Sequence, residues 1–179
     1  MKNLFKILCT ILCSLITLHS YAIEYKYILN EKYLNEIYTQ AKQEFKGSGI
    51  DTVKIAQGII LRFPIKSPIM ELENLTPQTR YFLEKIEVFL AEIKNSVIIE
   101  VHTGNFSTEE TKELKNWEVS TIIANKIEAD INHINNGKYH DKIISVGYGE
   151  FLPPKNTSYN GGNYHNRVDI IILCNTIGE

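Results

Sequence analysis

The residues best placed to do chemistry gather around one stretch. The run Val97-Ile98-Ile99-Glu100-Val101-His102 leads into Thr103 and Gly104, so an imidazole, a hydroxyl and an open backbone stand where a strand would end. Catalysis finds little to work with there. Glu100 and Glu118 are a conceivable carboxylate pair, but Glu100 is mid-strand. Glu118 falls in the first turn of a helix, where the dipole already favours an acid. The chain has no G-x-S-x-G, no phosphate-binding glycine loop and no Cys/His pair beyond its first residues. His102, His133, His140 and His165 show no ligand spacing such as H-x-x-x-H, so no metal and no cofactor is expected. No catalytic residue is assigned, and the chain reads as a non-enzyme. Trp117 reads first as a half-buried packing residue at a helix start, with an exposed anchor for a partner as the alternative.

The elements that must position these residues follow from periodicity. Glu31 to about Phe45 reads as a helix, with Leu34, Ile37, Tyr38, Ala41 and Phe45 on one face and Gly47-Ser48-Gly49 as its stop. Residues 23–30 alternate loosely, as an added strand or an extended arm. Val53 to Phe63 reads as a strand, broken up by Pro64 and Pro68. Thr76 caps the next helix and Pro77 takes its first position; Phe82, Leu83, Ile86, Phe89, Leu90 and Ile93 form its apolar stripe. Ser96 to Val101 is a β-branched strand. After a polar loop, a helix opens at Asn116 and carries Ile123, Ile127, Ile131 and Ile134 on one face. Lys142 to Val146 and Arg167 to Ile172 are the closing strands. Strands alternating with helices predict an α/β sandwich, a mixed sheet with helices on one face.

Composition narrows the partners. The chain has 179 residues, 44% hydrophobic and 22% charged, which fits one globular domain with a small appendage. A net charge of −2 gives no reason to expect nucleic acid. Lys2 and Lys6 flank an apolar run, Leu4 to Leu18, and Ser20 and Ala22 are small residues at the −3 and −1 positions of a cut after Ala22. Residues 1–22 therefore read as a secretory signal peptide, since a spanning helix needs about 20 apolar residues. An uncleaved anchor is the alternative. Cleavage would leave Cys174 as the single cysteine, flanked by apolar residues and expected to be buried.

Five short motifs, in order, resemble the OmpA-like (OmpA/MotB) peptidoglycan-binding domain. The family's central strand ends in G-H-T-D, and its following helix begins L-S-x-x-R-A. Here His102-Thr103 and Val119-Ser120-x-x-x-Ala124 keep that frame. Gly58 to Phe63 is similar to its G-x-x-[VIL]-x-[FL] strand, and Met70 to Pro77 to its F-D-x-x-x-x-L-x-P helix entry. Gly147-Tyr148-Gly149-Glu150-Phe151-Leu152-Pro153 resembles G-x-G-E-x-x-P, and Arg167-Val168-Asp169-Ile170 resembles the closing N-R-R-V-E-I strand, with Asn166 at its first arginine. The run Asn116-Trp117-Glu118-Val119-Ser120 looks most like the flagellar-stator branch. The resemblance covers roughly residues 53–173 and implies an OmpA-like βαβαβ-β domain at 53–179, which follows the signal peptide at 1–22 and an extension at 23–52.

The resemblance also implies a ligand, the diaminopimelate of peptidoglycan, whose ammonium and carboxylate need one side chain of each sign. The family's aspartate falls on Gly104 and its arginine on Ile123, so neither charge is present. Leaving both ligand charges unpaired costs about 1–3 kcal/mol or more for each. The degenerate pocket would comprise His102, Thr103, Gly104, Trp117, Ser120, Ile123 and Arg167, with His102 a structural hydrogen-bonding residue. Glu109, Glu110, Glu113, Lys112 and Lys115 read first as solvated loop charges, though they are the nearest substitutes for the clamp. The implied role is a periplasmic binding or scaffold component of an envelope-spanning assembly of secretion or motor type, associated with the outer membrane or cell wall. Its partners would be protein subunits of that assembly, in a homo- or hetero-oligomer. The alternative is a non-covalent peptidoglycan binder with relocated charges.

Overall fold

The computed structural model describes residues 31–104, 114–134, 141–151 and 166–174. The expected export signal, the segment 23–30, Glu109, Glu110, Lys112, Glu113, His140 and His165 lie outside them. The chain divides into two compact units, residues 1–37 and 38–179. In the first, residues 31–37 are helical; that helix, α1, continues to residue 44 in the second unit, where the chain turns through 45–49. None of the described helices is long and apolar enough to cross a membrane.

Five strands make one mixed sheet in the order β1-β2-β5-β3-β4, with β1 Asp51–Ile55, β2 Gly58–Pro64, β3 Val97–His102, β4 Ile143–Gly149 and β5 Arg167–Leu173. The stretch expected as one strand from Val53 to Phe63 is a hairpin instead. Ala56 and Gln57 turn the chain, and β1 pairs antiparallel with β2 from Ile55↔Gly58 outward. β5 lies antiparallel between β2 and β3, and β3 pairs parallel with β4. A parallel pair needs a crossover, and α4, Asn116–Ile134, supplies it.

Alternation along the strands sorts the sheet into two faces. Ile59, Leu61 and Phe63 of β2, Val97, Ile99 and Val101 of β3, and Val168, Ile170 and Ile172 of β5 are all fully buried and sit opposite one another in register. The helices cover this face. Phe63 packs on Phe82 of α3, Pro77–Ala91, with ring centroids 5.0 Å apart. Ser145 of β4 donates to Glu128 and to Asn125 of α4. Ile123, Ile127 and Ile131 of α4 have no exposed surface. Gly147 lets β4 approach α4 closely, because a Cβ there would meet the Thr121 nitrogen at 2.2 Å.

A short helix absent from the sequence reading, α2, Pro68–Glu73, precedes α3. It is held at both ends by side chains. The buried Glu71 carboxylate accepts from Thr76 N–H (2.8 Å), Thr76 Oγ1 (2.7 Å) and Thr79 Oγ1 (2.7 Å), tying α2 to the capped start of α3. Lys126 of α4 donates to the carbonyls of Glu71, Leu72 and Glu73, satisfying the last turn of α2.

Candidate functional site

The residues expected to line one pocket fall on two sides of the sheet. Around the end of β3, a set of backbone and hydroxyl bonds closes the gap between β3, α4 and β4. Thr103 donates through Oγ1 to the Asn116 carbonyl (2.8 Å) and through its N–H to the Gly149 carbonyl (3.1 Å). Ser120 donates to the Trp117 carbonyl (3.0 Å) and accepts from Gly149 N–H (2.9 Å). Gly149 has φ +52°, and a side chain there would press on the Trp117 backbone at 2.8 Å, so glycine serves both conformation and packing. Glu118 reaches back to Lys115 N–H (2.8 Å), half of a capping box at the start of α4.

Neither clamp position offers a charge. Ile123 is wholly buried in the core, and Gly104 is buried with its N–H bonded to Asn166 Oδ1 (3.1 Å). Asn166 is a residue that the sequence reading passed over as a replaced arginine. Its carbonyl also accepts from Ile65 N–H (3.0 Å), so it holds the exit of β3 and the end of β2 together at the start of β5. Trp117 is 47% exposed, half packed and half open at the start of α4. Cys174 is only partly buried, against expectation, because β5 ends at Leu173.

His102 and Arg167 lie on the other face of the sheet from Ile99 and Val101. Register places Arg62, Asp169 and Glu100 in one cross-strand row, and Arg167 directly opposite His102. Arg62 grips Asp169 with a bidentate fork, at 2.6 and 2.7 Å, and Arg167 Nε donates to the same carboxylate at 3.1 Å. Burial pulls the Arg167 guanidinium below its ordinary range, while Asp169 pulls it back up. Tyr148 stacks on His102 with centroids 5.2 Å apart, and its phenol is raised by burial and by the Glu100 carboxylate.

His102 is 2% exposed, and among the described residues neither ring nitrogen has the hydrogen-bond partner expected of it. Nε2 stands 3.5 Å from Glu100 and 3.8 Å from Asp169. The stack on Tyr148 is the contact that holds it. Among the described residues, Glu100, His102 and Asp169 are the group whose ligand atoms come close enough for a metal ion, within 4.8 Å of one another. Both Asp169 oxygens already accept from guanidiniums, so a cation entering there would meet two positive charges. The donor set suits an internal ion-pair lattice better than a metal.

With this geometry, comparison with known proteins is informative at the level of fold. The chain matches no family model and no curated protein. Among solved structures, a MotB-like protein from Desulfovibrio vulgaris superposes with a TM-score of 0.66 at 19% identity, covering 83% of this chain and 95% of that one. The fold is MotB-like. The periplasmic domain of Helicobacter pylori MotB gives a TM-score of 0.58 at 18% identity, over 70% of this chain and 82% of that one. The cell wall anchor of the T6SS from Pseudomonas aeruginosa gives 0.57 at 14%, over 74% and 93%. The fold class read from sequence, a mixed sheet with helices on one face, is the one observed.

Proposed function

We propose that this chain is a non-catalytic binding and scaffold component of the cell envelope, acting in the periplasm within an envelope-spanning assembly. We further propose that it has given up the family's peptidoglycan clamp. The envelope setting is supported by the neighbours' own descriptions, a MotB periplasmic domain and a cell wall anchor. The loss of the clamp rests on one observation. The two positions that would carry its charges are a wholly buried isoleucine, Ile123, and a glycine, Gly104, whose N–H is already spent on Asn166. A zwitterionic ligand brought there would lose water at both charged ends and gain a partner at neither. Contacts to protein subunits then carry the anchoring, with Trp117 beside the vacated position as the exposed aromatic anchor.

Sedimentation with purified diaminopimelate-type sacculi at physiological salt tests this reading. The chain without residues 1–22 is expected to stay in the supernatant. A pellet that persists at that salt would overturn it.

A further inference from the structure

The two edges of the sheet are finished differently. β1 closes one side with five residues, and two of them, Asp51 and Lys54, are charged. β4 closes the other with seven, Ile143 to Gly149, and carries neither a charge nor a proline. Short length and charge are the common means of keeping a second backbone off an edge, and β4 uses neither. Among the described residues it pairs with β3 alone, so every second residue turns its N–H and C=O outward. The side chains beside that edge are open as well. Ile144 is 49% exposed, on the opposite face from Ser145, which points to α4. There the Glu128 carboxylate accepts from the Ser145 hydroxyl and, among the described residues, meets no cation. One turn on along α4, Asn132 has an Oδ1 without a hydrogen-bond partner.

We infer that the outer edge of β4 docks an extended segment of a partner protein as a sixth strand, with a basic side chain over Glu128 and an apolar one beside Ile144. The backbone decides the form of the occupant. N–H and C=O groups repeating along one line are met in full by another extended backbone about 4.8 Å away, whereas a helix or a small molecule cannot follow them. Charge decides its composition. Successive side chains of an added strand fall alternately on the two faces. A residue on the α4 side therefore meets the acceptors of Glu128 and Asn132, and the next one meets Ile144. A guanidinium or ammonium gives the carboxylate the counter-charge it lacks; an acid would be repelled. The same charge argues against a second copy of this chain. Antiparallel pairing of β4 with itself keeps both α4 helices on one face and brings Glu128 of each copy to one seam. The assignment uses neither clamp position nor Trp117, and it does not depend on the proposed function.

The test is a nuclear magnetic resonance titration of the chain without residues 1–22 at low salt. The probe is a capped seven-residue peptide with valine at every odd position, arginine at the fourth and threonine at the second and sixth. One added strand buries far less than the roughly 1,200 Å² of a stable interface, so a dissociation constant of about 0.1–1 mM is expected. The shifts should centre on residues 143–149 and 125–132, and the outward amides of β4 should exchange more slowly with solvent. The same peptide with glutamate at its fourth position should bind at least about fivefold more weakly. Glu128→Gln should erase that difference, with an otherwise unchanged spectrum showing that the fold is intact. Two further peptides carry N-methyl groups on alternate backbone nitrogens, one on the odd set and one on the even set. Pairing along a single edge requires one of them to bind and the other to fail. No saturable shift at millimolar peptide, shifts centred elsewhere, methylated peptides that both bind like the parent, or a preference for arginine that survives Glu128→Gln would overturn the assignment.

Discussion

The two halves of α4 are a contrast in charge. Its N-terminal half meets the end of β3 and β4 through Ser120, and the two positions there where the motif would carry charge, Gly104 and Ile123, carry none. Its C-terminal half presents Lys126, Asp130 and His133 to an open pocket shared with Glu73 and Arg80. One helix thus has a closed, hydrogen-bonded end and an open, charged one. Backbone and hydroxyl bonds from Thr103, Ser120 and Gly149 hold the frame at the end of β3 without any charge. A second contrast sits within the buried charges. Asp169 is met by two guanidiniums, whereas Glu87 is buried under the influence of two further acids, Asp130 and Glu84.

The largest effect should come from breaking the satisfied cluster. Asp169→Ala removes the carboxylate that Arg62 and Arg167 both bond in a buried site, and should destabilise by about 3–5 kcal/mol in a urea titration. Glu71→Ala removes three hydrogen bonds from the α2–α3 junction. A loss of about 2–3 kcal/mol is expected, visible as a lower melting temperature.

Glu87 should respond in the opposite sense. Burial first, then Asp130 and Glu84, push its carboxyl up to about 7 from 4.5. The folded state therefore favours the protonated form. The stability that this gives is fully present below 4.5 and is lost as pH rises through 7. Glu87→Gln should then match the native chain near pH 4 and exceed it by about 1–3 kcal/mol at pH 8. Stability curves that run parallel across that range would contradict the assignment. Trp117→Ala is the smallest perturbation in this set. Its indole is half exposed, so stability should move by about 0.5–1 kcal/mol at most, while capture of an envelope partner should weaken at least tenfold.

Much of this fold is legible in the sequence, since it rests on local pattern. The apolar stripe of α3, the Thr76–Pro77 start and the three isoleucines of α4 fall where periodicity puts them. The hairpin at Ala56 and Gln57 is less visible, because the turn carries no Gly, Pro or Asn ahead of Gly58 and the apolar run reads as continuous. The charged lattice is not legible at all. Arg62, Glu100 and Asp169 meet only because β5 inserts between β2 and β3, and no local spacing announces that. The same holds for Arg80 and Asp130, which lie on different helices. The candidate site was half readable: Gly104 and Ile123 could be placed by motif, but the separation of His102 and Arg167 onto the other face needed the register of the sheet.

The most direct test of the central claim restores the missing charges. Gly104→Asp together with Ile123→Arg would place one charge of each sign at the family's clamp positions, with circular dichroism and a melt reporting whether the core tolerates the buried arginine. The account predicts that the folded double variant sediments with sacculi at physiological salt while the native chain stays in solution. A native chain that pellets as well as the variant would mean that the clamp was never the deciding feature here.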